Sequence, residues 1–129
     1  MGLKSINDLE IYREAMRLGE SIWDAVSEWK QFEKFSVGSQ IVRAGDSIAA
    51  NIAEGYGRFH FKENKKHCYY ARGSLIEVQC FLEKSAKRGL VPTDQARQLY
   101  QELETLLKRL NAYIRSIGDQ PQSTQEPSQ

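Results

Sequence analysis

The residues able to do chemistry gather in one stretch of this 129-residue chain. His60 and His67, its only histidines, bracket Glu63, and Cys68 follows directly. Glu63 and His67 are four apart, which sets both on one face of a helix. One carboxylate and one imidazole fall short of a metal site. A di-iron bundle needs two Glu-x-x-His pairs, and the chain contains none. Neighbours on a helix point about 100° apart, so His67 does not face Cys68 as a catalytic base would. Cys68 reads as a small core residue. Gly55-Tyr56-Gly57-Arg58 lacks the Lys-Ser/Thr that completes a phosphate loop, and its glycines read as a helix terminator. No catalytic residue and no cofactor is expected.

What remains is a charge pattern. Arg58, Lys62, Lys65, Lys66 and Arg72 stand against one acid, Glu63, so residues 56–72 carry +4 while the whole chain carries +1. The rest of the chain is therefore acidic by three. Tyr56, Phe59, Phe61, Tyr69 and Tyr70 are interleaved with those cations, five of the thirteen aromatics. Cations neutralise phosphates and rings stack on unpaired bases, so this combination suits a nucleic-acid surface. The competing explanation is a solvated helix start with aromatics packed beneath it. Asn51, Glu54 and Arg58 share an edge of the preceding helix. A hydrogen-bonded turn network accounts for them better than a partner-binding rim.

These residues must be positioned by helices. From Asn7 to Trp29, Tyr12, Ala15, Met16, Gly19, Ile22, Trp23 and Val26 recur at three- and four-residue steps. Asn7 and Glu10 have capping-box spacing. Ile11, Leu18, Ala25 and Trp29 widen the apolar face. A second helix is expected over Val37–Glu54, with Ser36 as N-cap and small residues (Gly38, Ala44, Gly45, Ala49, Ala50, Ala53) that permit close packing. A third runs from Phe61 to Arg88 and stops at Gly89. Thr93 caps a fourth, whose Leu99, Leu103, Leu106, Leu110 and Ile114 give the cleanest periodicity. Short connections imply an all-α, antiparallel up-and-down four-helix bundle over residues 1–118. Residues 119–129 hold Gln, Ser and Pro without an apolar anchor and are expected to be a disordered tail.

Composition bounds the rest. Hydrophobic residues at 40% suffice for one core, and a net charge of +1 excludes a uniformly polycationic surface. Cys68 and Cys80 lie twelve apart on one helix, roughly 18 Å, too far for a disulfide. Reduced thiols, no signal region and no 18-residue apolar run place the expected protein in the cytoplasm, off the membrane.

The stretch Ser39–Arg58, above all Asn51-Ile52-Ala53-Glu54-Gly55 followed by Tyr56-Gly57-Arg58, resembles the bacterial four helix bundle protein family. Asp8-Leu9 with Tyr12 and Ala15, Ala71–Glu77, and Gly89-Leu90 extend the likeness over residues 6–117. Members were first noticed as reading frames within intervening sequences of the large ribosomal RNA gene, and are known as ribosomal-like proteins. Related proteins are the accessory variability determinants of diversity-generating retroelements. The resemblance implies a homopentameric barrel without catalytic activity. It also implies a basic surface for RNA or cDNA and association with the element's reverse transcriptase. Many members carry Pro where this chain has Ala49, so its second helix should be straighter. The combined expectation is a non-enzymatic oligomeric accessory protein. Ile11, Leu18, Trp29, Tyr69 and Ile76 pack its subunits together, and Arg58, Lys62, Lys65, Lys66 and Arg72 contact nucleic acid. The alternative is a protein–protein scaffold without nucleic-acid binding.

Overall fold

A computed structural model describes residues 5–58 and 60–118. Residue 59 and the 119–129 segment, with the tail expected there, lie outside the described residues. All regular elements among the described residues are helical. Helix α1 spans Glu10–Ser27, α2 Ser39–Tyr56, α3 Phe61–Lys87 and α4 Thr93–Gly118. Helices α1 and α3 each pack on both α2 and α4, which gives the four-membered ring of an up-and-down bundle.

The helix starts depart from the sequence expectation at three places. The smallest is at Thr93, which is the first residue of α4 and not the cap before it, the first turn closing on the Pro92 carbonyl. The Asn7 capping box does not form. Ser5 Oγ instead accepts from the Asn7 amide at 3.1 Å and opens a single 3₁₀ turn, Ile6–Asp8. The regular helix begins at Glu10, and Arg13 ties the turn down by donating to the Asn7 carbonyl at 2.7 Å. The second departure is at Ser36, which is no N-cap. Helix already exists at Gln31–Glu33 and runs through a π-helical segment, Lys34–Gly38, into α2. Ser36 Oγ donates back to the Phe32 carbonyl at 2.6 Å, a bond that belongs inside a helix.

The π segment coincides with a close crossing. A Cβ on Gly38 would sit 2.8 Å from Val26 Cγ1 of α1 and 2.9 Å from the Glu33 carbonyl. Gly45 meets Ile22 in the same way at 2.8 Å. The small residues of α2 therefore do bring its backbone close to α1. The helix continues through Ala49 without a break. At the far end of α3, Gly89 takes a φ of +75°, and the Leu90 amide donates to the Ser85 carbonyl at 2.9 Å. That left-handed turn is a Schellman stop, and it needs glycine.

The core runs along the bundle axis. Ala15, Leu18, Ile48, Ile52, Leu75, Val78, Leu103, Leu106 and Leu110 are all but completely buried. Ile11 and Leu18 belong to this core, at 5% and 1% exposure, so they cannot pack subunits together. Trp29 lies half-buried against the same core. The exposed apolar residues of α1 are Met16 at 46% and Trp23 at 57%, both expected to face inward. Each follows a core residue, Ala15 or Ile22, by one position, and so lies about 100° further round at the edge toward α2.

Polar contacts fix the helix register. Arg109 of α4 bridges Glu10 and Glu14 of α1, and Gln79 of α3 donates to Glu104 of α4 at 2.8 Å. Among the described residues no helix is long and apolar enough to cross a membrane.

Candidate nucleic-acid interface

The turn from α2 into α3 is held by a polar seam. Asn51 donates to the Ser47 carbonyl at 2.9 Å and to Ser47 Oγ at 3.0 Å. Ser47 Oγ and Ser74 Oγ are 2.9 Å apart, joining α2 to α3. His67 Nδ1 lies 3.4 Å from Asn51 Oδ1, and the His67 ring meets Tyr70 edge-on at 5.5 Å. Asn64 Nδ2 donates to the Tyr113 hydroxyl of α4 at 3.4 Å. Gly55 is the centre of this seam rather than a terminator. A Cβ there would lie 2.7 Å from Asn64 Oδ1 and 2.9 Å from the Asn64 carbonyl. The helix ends one residue later, at Tyr56, with Gly57 as its cap.

On that scaffold the five candidate cations separate. Arg58 donates to Glu54 Oε2 at 2.5 Å, four residues back, so its charge is balanced locally. Arg72 turns toward α4. Its Nη1 donates to Asn111 Oδ1 at 2.8 Å and its guanidinium carbon lies 4.8 Å over the Tyr69 ring. Lys62 and Lys66 are exposed one turn apart on the outer face of α3, and Lys65 beside them is half-buried. None of these three lysines forms an ion pair among the described residues. Tyr69, 43% exposed, continues the Lys62–Lys66 line by three residues. The geometry therefore assembles Lys62, Lys66 and Tyr69 on one face, with Lys65 and the Arg72–Tyr69 stack at its edge. Arg58 stands apart, held to α2. Phe59 lies outside the described residues.

The other chemistry-bearing groups are occupied with structure. Cys68 is completely buried, with its thiol 3.7 Å from Asn64 Oδ1, and burial pushes it up to about 11. Burial also raises the Tyr113 hydroxyl, an effect the Asn64 hydrogen bond opposes. Among the described residues no three of His, Cys, Asp and Glu come together as a metal site.

Sequence reasoning missed a second feature. Between α1 and α2 an outward trough contains Trp23, Phe35, Val42 and Gly38, and continues past Asp46 to Met16, Tyr12 and Ala50. Its upper part encloses about 500 Å³. The signal was present in Phe35, an aromatic next to Ser36, but the expected helix started after it.

A model of the family described as 23S rRNA-intervening sequence protein matches residues 7–112. No curated protein matches the chain. Among solved structures, the chain is similar to a protein of unknown function from the S23 ribosomal protein family of Bacteroides thetaiotaomicron. The TM-score is 0.72 at 18% identity, over 81% of this chain and 97% of that one. At that identity the likeness speaks for the shared helical fold.

Proposed function

Because this chain belongs to the 23S rRNA-intervening sequence protein family, we propose that it is a non-enzymatic, self-associating accessory protein that binds RNA or cDNA. The observation that carries this reading is the outward line Lys62–Lys66–Tyr69, where unpaired charge and an exposed ring share one helix face. One such line binds weakly. Repeating it around an assembly turns successive contacts into intramolecular events and raises avidity. The trough with Met16, Trp23 and Phe35 supplies the self-association face, since exposed apolar patches of this kind mark interfaces. A homopentamer is the assembly this reading takes, and a retroelement reverse transcriptase in the cytoplasm its partner enzyme.

Filter binding of single-stranded RNA across a salt series tests it. Binding should weaken steeply with salt, and should weaken again when Arg58, Lys62, Lys65, Lys66 and Arg72 become alanine. An affinity that ignores both changes refutes the reading. The trough then favours the second reading, a scaffold that binds proteins through apolar contact.

A further inference from the structure

At the opposite end of the bundle, a groove of about 550 Å³ lies between the lead-in to α2 and the end of α3. Phe32, Glu33 and Gln40 line it from one side and Phe81, Lys84 and Arg88 from the other. We infer that this groove takes an unpaired base of a single-stranded nucleic acid, stacked on Phe32 and held through its phosphates by Lys84 and Arg88. The inference rests on the nucleic-acid reading above and adds a second contact site to it.

Three observations lead there. Phe32 is 80% exposed, more than any other large apolar residue described, and it stands at the mouth of a groove instead of filling it. Lys84 and Arg88 form no ion pair among the described residues, unlike Arg58, Arg97 and Arg109. They sit by the last turn of α3, where cations oppose the helix dipole, and both side chains also line the groove. The Glu33 carboxylate and Gln40 amide are the acceptor and donor groups that read a base edge. A free phosphate alone would have no use for the ring or for Glu33, so charge and ring together select a base with its backbone.

The groove also stands in register with the first site. Lys66 and Lys84 are eighteen residues apart, five full helical turns, so they leave α3 in the same direction roughly 27 Å apart. Exposed Glu77 lies between them, which makes the two clusters separate contacts on one strand's path.

Fluorescence anisotropy with a labelled 20-nucleotide oligouridylate, and with an abasic strand of equal length, tests the inference on the full chain. Phe32→Ala should weaken oligouridylate binding about fivefold or more, the loss of one base stack, and leave the abasic strand unaffected. The double variant Lys84→Ala, Arg88→Ala should weaken both strands and make the salt dependence shallower by about 1.4. All three side chains sit at the surface, and circular dichroism checks that helicity is kept. If the wild type binds and these variants bind equally well, the groove is refuted while the five-cation alanine variant still decides the wider reading. If the wild type binds neither strand, both fall together.

Discussion

Three glycines offer one substitution with three outcomes. Alanine favours a helix interior over glycine by about 1 kcal/mol, and a last turn by less. What its Cβ meets decides the sign. At Gly73 nothing lies within 4 Å, so Gly73→Ala should stabilise by about 0.5–1 kcal/mol and raise Tm by a few degrees. At Gly45 the Cβ meets Ile22 Cδ1 at 2.8 Å, the movable end of a side chain, so strain and propensity should nearly cancel. At Gly55 the Cβ meets Asn64 Oδ1 at 2.7 Å and, as a fixed obstacle, the backbone carbonyl of Asn64 at 2.9 Å, with His67 Cβ at 3.1 Å. Overpacking of that kind costs about 1–3 kcal/mol. Gly55 stands in the last turn of α2, where the propensity gain is only about 0.5 kcal/mol, so Gly55→Ala should lose about 0.5–2.5 kcal/mol, roughly 2–12 °C in Tm. Urea and thermal unfolding followed by circular dichroism give the order Gly73→Ala, Gly45→Ala, Gly55→Ala from most to least stable. A Gly55→Ala protein as stable as wild type would show that α2 and α3 are not pressed together at this seam.

The thiols give further tests. In the native protein, Cys80 is exposed and should react with a disulfide reagent at once, while Cys68 should react only on unfolding. Below about pH 9 folded and unfolded chains both keep the Cys68 proton. Toward pH 11 only the folded chain keeps it, so stability should fall at up to ~1.4 kcal/mol per pH unit. A flat urea midpoint over that range contradicts the burial of Cys68. For the self-association proposed at the trough, light scattering should give a multiple of the chain mass for the wild type and the single-chain mass for Met16→Asp with Trp23→Asp, with helicity intact. An unchanged particle mass places the self-association face elsewhere.

The four helices were legible because their apolar residues recur at helical spacing over five or more turns. The α4 line from Leu99 to Ile114 needs no tertiary information to place. Helix edges were harder to read. Met16 and Trp23 lie one residue from true core positions, and a periodicity cannot say where the buried arc ends. The α2 start was missed because Ser36 has the type of a cap, whereas its hydroxyl bonds back to Phe32 within a π-helical segment. At the site, residue types gave the charge but not its partners. Glu54 beside Arg58 was within reach of an i, i+4 argument. Asn111, thirty-nine residues from Arg72, required the fold. Gly55 was read as a stop because glycine marks both helix ends and close crossings, and only Asn64 and His67 tell them apart.

The proposed function needs lysines of α3 to contact nucleic acid on several copies at once. Its most direct test is the slope of log binding constant against log salt for single-stranded RNA. Each phosphate contact contributes about −0.7, so Lys62, Lys65 and Lys66, with Lys84 and Arg88 of the groove, yield about −3.5 for one chain. An assembly engaging several chains should give a slope steeper than about −5, whereas a slope of about −3.5 or shallower contradicts it.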